Sequence, residues 1–413
     1  MWTASVVSDT GTWMQAITVG VLVARLTGKA SSTGLIGVAA FATQGIGAPI
    51  GGVLADRFDR RKMFMWALLA QTAITSVLAV VLTDRTPATG LLAGLIALQG
   101  LAGAFGMPAA QSLMPSLVPR AELIKAVGLG AVSWNSGRIL GAGLAALLGL
   151  WLEPSAIVFI NAATFAVLFG AIYRLKGTYR AVQVGDRGSF RRQFVVGAKT
   201  LWSVPGCRFA ICAMVFLQLT LVSWVGLIPI VAQKQLHGTR TLASAITTVQ
   251  GVGAVIGAGV ASWLVATIGR SRAIVISAVV SSAALFGYSQ STNRWVTFPF
   301  VLLLGMSSIG LFVSLGAIFQ RDAPEHARAR IMSIQSASLG TCYGIGVLTA
   351  GRLADRYGLS VVHASDAVIF ISGVLLSVVF LRKHWAAVSH GDPTARRTER
   401  VLGSGVQTVQ QKS

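Results

Sequence analysis

Residues 51 to 62 read Gly51-Gly52-Val53-Leu54-Ala55-Asp56-Arg57-Phe58-Asp59-Arg60-Arg61-Lys62, a charged knot between two long apolar stretches. Six charges do not rest in hydrocarbon, so the knot marks a place where the chain leaves a bilayer, turns and goes back in. Its small residues let two helices approach closely, its acid can cap a helix N-terminus, and its basic cluster suits the cytoplasmic side.

The rest of the chain fits that reading. It is 54% hydrophobic and 11% charged, with mean hydropathy +0.70 over 413 residues, far from the quarter charged of a soluble domain. The net charge of +21 does not point to nucleic acid, because the basic residues are spread over short loops instead of forming one aromatic-flanked stripe. Anionic lipid headgroups suffice as their partner. Cys207, Cys212 and Cys342 lie in or beside apolar segments without metal-ligand spacing, so neither a disulfide framework nor a metal site is expected. No Walker loop, His-Glu-x-x-His or Gly-x-Ser-x-Gly element occurs, and no nucleophile with base and orienter can be assembled within the apolar segments, which excludes an enzyme and any cofactor. The first apolar stretch begins at Trp2 without a basic n-region or matched cleavage site and is read as a retained helix.

Stretches long enough for a 30 Å core fall at 2 to 24, 33 to 55, 63 to 83, 90 to 113, 126 to 149 and 155 to 174. After a polar break come 207 to 231, 241 to 266, 272 to 289, 295 to 319, 328 to 350 and 362 to 381. The expected organisation is an all-α membrane protein of twelve transmembrane helices in two six-helix bundles, 1–174 and 207–385. A cytoplasmic linker at 175–206 containing an amphipathic interfacial helix joins them, and a disordered polar tail follows at 386–413. One set of alternate loops, with the linker and tail, holds 25 of the 34 Lys and Arg, which orients both termini to the cytoplasm of a cell membrane. The halves also look like pseudo-repeats. A shift of 205 residues aligns Pro119 with Pro324, Ser133 with Ser338 and Gly141 with Gly346, and a shift of 210 aligns Leu54 with Leu264 and Arg60 with Arg270. In the second copy Ala266 replaces Asp56.

The knot resembles the loop between helices 2 and 3 of the major facilitator superfamily, Gly-x-Leu-Ala-Asp-Arg-x-Gly-Arg-Arg/Lys, with Asp59 where the signature usually has Gly. The resemblance implies twelve helices, a site near midplane between parallel halves, and a latch comprising Gly52, Asp56, Arg57, Arg60, Arg61 and Lys62. In such a latch Asp56 holds the cytoplasmic end of the eleventh helix, near Ala327, while the basic residues pair nearby. The alternative is a positive-inside anchor and helix cap without switching.

On the fifth span, Gly128, Gly137 and Gly141 resemble half of a glycine motif of efflux branches, with Ala142 in place of its Pro. They form either an antiporter element or a generic small-residue packing face. Asn135 and Arg138, followed by Asn161 and Phe165, resemble a run in the branch that includes enterobactin exporters and macrolide-efflux proteins. Arg138 inside a span needs a wet cavity or an acid. It serves either the substrate pathway or a structural pair with Asp9 or backbone carbonyls. Asp9 is the carboxylate well inside a span, and it either carries a proton, sits at the cytoplasmic interface, or forms a salt bridge. Asp366 and Glu153 lie near outer helix ends.

Residues 351 to 358, Gly351-Arg352-Leu353-Ala354-Asp355-Arg356-Tyr357-Gly358, copy the knot but fall on the outer side, and they are expected to stop a helix there or to take part in gating. Gln44, Gln218, Trp224, Gln250 and Tyr343 are expected to line a cavity. The reading is a secondary transporter, monomeric, exporting a small amphipathic molecule by proton antiport. A dedicated siderophore or secondary-metabolite exporter and a non-transporting sensor or assembly partner are the alternatives.

Overall fold

The computed structural model describes residues 1–113, 122–175, 190–324 and 327–380, together with Leu117, Pro119, Gly177 and Tyr179. At Asp56, Ala131, Ala329, Phe380 and residues 123–128 and 190–194 it describes the backbone alone. The tail at 386–413 and most of the 176–189 segment lie outside the described residues.

The first half contains α1 (Trp2–Thr27), α2 (Ala30–Gly37), α3 (Thr43–Arg57), α4 (Arg60–Val81), α5 (Thr89–Leu113), α6 (Leu123–Leu148) and α7 (Pro154–Tyr173). A π-helical turn at Val38–Ala42 joins α2 to α3 without a break, so the two make one span. Then comes α8 (Phe190–Ser203), within the segment read as linker, which packs through Gly197 against Arg330 and Ile334. The second half contains α9 (Pro205–Leu219), α10 (Ile228–Lys234), α11 (Arg240–Ile268), α12 (Arg270–Gln290), α13 (Arg294–Asp322), α14 (Arg328–Tyr357) and α15 (Leu359–Phe380). Its first span bends between α9 and α10 through a 3₁₀ turn at Ser223–Leu227, with Pro229 just inside α10.

Ten of these spans are long and apolar enough to cross a membrane by length and composition. The other two, α1 and α6, have 26 residues each, about 39 Å at 1.5 Å per residue. Both carry polar residues in mid-helix, Asp9 and Gln15 on one, Asn135 and Arg138 on the other. With them the described residues form twelve spans.

Within the first half α1 packs on α6 and α7, and α5 on α3 and α4; within the second, α13 packs on α11 and α12, and α15 on α12. Between halves, α6 meets α11, and α14 meets α2 and α3. Thus the fifth span of each half lies against the second span of the other, as a pseudo-twofold axis between two six-helix units requires.

The second seam is tight from one end to its middle. A Cβ on Gly351 would lie 2.6 Å from Ala30 O, one on Gly34 2.7 Å from Val347 O, and one on Gly45 2.6 Å from Thr341 N. Past Gly45 the helices part. Gly47 and Gly51 turn to Ala104 of α5, Ile50 is exposed, and Gly52 has nothing within 4 Å. The halves therefore close at the end carrying residues 28–30 and 351–359 and separate at the other, basic end.

Candidate transport site between the halves

Where α1 crosses α6, Gly137 and Gly141 bring the backbones together. A Cβ on Gly137 would stand 2.5 Å from Asp9 Cβ, and one on Gly141 2.9 Å from Trp13 Cβ. The environment of Gly128 lies outside the described residues. This crossing places Asp9, Trp13, Ser133, Trp134 and Arg138 in one group. Trp2, at the start of α1, donates through Nε1 to Leu129 O of α6 at 2.8 Å, so α1 begins some way along α6 and Asp9 comes level with Gly137, the neighbour of Arg138.

Ser133 Oγ donates to Asp9 Oδ2 at 2.5 Å. Arg138 Nη2 donates to Asn135 Oδ1 at 3.1 Å, and its guanidinium lies 5.8 Å from the Trp13 ring centre. Trp13 in turn meets Trp134 edge-on at 5.4 Å. The pairing of Arg138 with Asp9 is not formed, and among the described residues no carboxylate lies within 4 Å of Arg138. The physical reason is orientation: the Asp9 carboxylate is held by Ser133, five residues before Arg138 on α6, while Arg138 turns toward Trp13 and toward Gly251 of α11 in the other half.

The second half supplies Tyr343 and, beside Gly251, Gln250, whereas the Gln218 amide donates to Leu339 O within its own half at 3.1 Å. Tyr343 lies within electrostatic reach of Arg138 and meets Phe41 of the first half edge-on at 4.9 Å. Trp13 Nε1, Arg138 Nε, Gln218 Oε1 and Gln250 Oε1 are buried without a protein hydrogen-bond partner among the described residues. The midplane thus combines aromatic faces, one cation and several unused polar atoms, which can hold a largely apolar molecule and orient it by a few hydrogen bonds.

Three expected residues lie elsewhere. Asn161 is fully buried inside the first half, donating to Gln15 Oε1 at 2.6 Å, and Gln15 donates to Gln99 Oε1 at 2.7 Å. Its amide is spent on joining α7, α1 and α5, so it does not line the seam. Gln44 faces Gly103 of α5 beside Gln71. Trp224 is buried against Tyr288 at 5.1 Å within the second half.

In the basic knot the cations Arg60 and Arg61 pair close by. The Asp56 side chain lies outside the described residues, and Arg57 is exposed. Arg60 Nη1 donates to Ser112 O, and Arg61 donates to Ile172 O and Tyr173 O, carbonyls at the C-terminal ends of α5 and α7. These contacts set cations against negative helix ends of their own half. Asp59, noted only as a departure from the signature, caps α4 by accepting from Arg61 N and Lys62 N and also accepts from Tyr179 N. An Asp directly before a helix is an N-cap signal that was available. A groove of about 470 Å³ lined by Leu54, Asp59, Lys62, Trp66 and Phe105 opens beside this knot, away from the midplane group.

The stretch at 351 to 358 is not a helix stop until its last residue. Helix α14 runs through Tyr357, and Gly358 ends it at φ 92°, a conformation open to glycine. Asp355, inside the last turns, accepts from the backbone N–H groups of Ala30 and Ser31 across the seam.

Two helical halves related by a pseudo-twofold axis, with a polar and aromatic group where they meet, describe a multi-pass membrane transporter of the major facilitator type. The profile of the transmembrane secretion effector family matches residues 1–404, and the chain belongs to that family. It is 24% identical over 340 residues to macrolide efflux protein A of Streptococcus pyogenes, covering 81% of this chain and 83% of that one. It is 24% identical over 373 residues to multidrug efflux pump Tap of Mycolicibacterium fortuitum, covering 87% and 88%. Among solved structures, a mutant of nucleoside transporter NupG superposes with TM-score 0.73 at 12% identity, over 90% of this chain and 98% of that one. The relatives are transporters and not enzymes.

Proposed function

We propose that the protein exports small amphipathic compounds from the cytoplasm across the cell membrane, with proton influx driving alternating access. Residues 1–174 and 207–385 rock against one another around the midplane, 175–206 connects them, and one chain suffices. The basic end faces the cytoplasm with both termini, following the positive-inside bias. The seam's opening toward that end suits loading from the cytoplasm, and the efflux names of the two relatives support the direction.

The observation that carries the reading is Arg138. A guanidinium at mid-span without a carboxylate partner is expensive unless it faces a wet cavity or a ligand, and this one faces the other half. Trp13, Phe41 and Tyr343 offer the apolar faces, and Gln250 an orienting group. Asp9 takes up and releases the proton. Lipid headgroups meet the basic loops, Lys62 at its groove among them.

The test is substrate-dependent loss of an imposed pH gradient in inverted vesicles. Arg138→Ala and Asp9→Asn abolish it with expression intact; normal proton-driven transport by both variants overturns the assignment. Arg138 also favours a second reading, a dedicated exporter of one anionic siderophore or secondary metabolite. Comparison of secreted compounds with and without the gene separates the two.

A further inference from the structure

Asp355 belongs to the second half, and its two carboxylate oxygens accept from Ala30 N at 2.6 Å and Ser31 N at 3.0 Å, the first residues of α2 in the first half. Such N–H groups have no acceptor within their own helix, and the positive end of the helix dipole favours an anion. A local Ser, Thr, Asp or Asn usually fills this role. Here the residue before α2 is Lys29, which makes no cap hydrogen bond, so the cap is supplied from 325 residues away. Gly351, one turn earlier on α14, has no Cβ to keep Ala30 at a distance.

The sequence gives this contact a counterpart. Gly351-Arg352-Leu353-Ala354-Asp355-Arg356-Tyr357 repeats Gly52-Val53-Leu54-Ala55-Asp56-Arg57-Phe58, with an aromatic residue closing each. Each copy ends its own helix, and the two helices run antiparallel along one seam. At the Asp355 end the helices touch; at the Gly52 end they have separated. The other seam repeats the arrangement with reversed charge: Arg240, opening α11, reaches the carbonyl of Gly149, which closes α6, at 3.5 Å.

We propose that Asp355 is a positioning residue for the transport cycle. It clasps the end opposite the basic loops while the basic end is open, and it must release Ala30 and Ser31 before that end can open. Its carboxylate supplies to α2 from outside what the knot's acid supplies to α14 in the converse state. The proposal rests on the alternating-access part of the reading above and not on the proton or the substrate.

The test measures distances between paired spin labels on purified protein in nanodiscs, with Cys207, Cys212 and Cys342 replaced by Ser. One pair, at Arg85 and Asn293, spans the clasped end, and a second, at Glu122 and Thr267, spans the basic end; all four sites are exposed. Asp355→Asn is expected to add a longer distance at the first pair and a shorter one at the second. Asp355→Glu and the neighbouring Arg356→Gln keep the unaltered distributions. Should Asp355→Asn fail to yield a monodisperse protein, Ala30→Pro takes its place. Proline is well suited to the first helical position, and there it deletes one of the two N–H donors, so the same added distances are expected. Unaltered distances in the variant measured, or an equal shift in Arg356→Gln, overturn the proposal. Neither label pair needs substrate or a proton gradient, so loss of the export reading leaves the result standing.

Discussion

Gly141 of α6 lies so close to α1 that a Cβ there would stand 2.4 Å from Thr10 O and 3.0 Å from Met14 N. Backbone cannot swing aside as a side chain can, so Gly141→Ala is expected to cost about 1–3 kcal/mol as an overpacked contact. Gly52→Ala, with nothing within 4 Å, should stay within about 0.5 kcal/mol. Thermal unfolding of the two detergent-solubilised variants checks the contrast, and similar losses would refute the close approach.

Removing Arg138 deletes one charge-assisted contact to any anionic ligand, worth about 1.5–3 kcal/mol. Arg138→Ala should therefore weaken binding of an anionic substrate about 10- to 150-fold and a neutral one much less. Titration calorimetry with one compound of each kind reads the difference. An equal loss for both would mean that Arg138 acts through packing on Trp13.

Asp9→Asn keeps the shape and the hydrogen bond from Ser133 but no longer exchanges a proton. It is expected to abolish uphill transport while leaving substrate counterflow, which needs no net proton movement, near the unaltered rate. Loss of both activities together would make Asp9 a structural group of the α1 and α6 crossing.

Asp59→Ala removes the cap of α4 and should destabilise the protein by about 1–2 kcal/mol. Asp59→Asn, which retains an accepting oxygen, should lose much less. Melting temperatures of the three proteins decide it. The prediction fails if Asn and Ala are equally harmful.

The spans were legible because burial in lipid demands long apolar runs, and the loops because charge cannot follow them in. Even α1 and α6 could be placed, since Asp9 and Arg138 interrupt rather than end their runs. What could not be read depends on register across the seam. Asp355 meets Ala30 and Ser31 over 325 intervening positions, and nothing local to either marks the pair. The direction of Arg138 toward Trp13 instead of Asp9, and the spending of Asn161 on Gln15, are set by helix rotation. A period of 3.6 residues fixes that rotation only once the neighbours are known. Asp59 is different: its signal was local, but comparison with a signature that has Gly there hid an ordinary cap.

The π-helical turn at Val38–Ala42 holds one residue more than an α-helical turn would. Removing that residue would rotate everything from Thr43 to Arg57 by about 100° against α2. Gly45 would leave Thr341, Gly51 would leave Ala104, and the charged knot would face a different neighbour although no residue in it had changed. The bulge acts as the phase setting of the second span, tying what happens at one membrane face to what the other face sees.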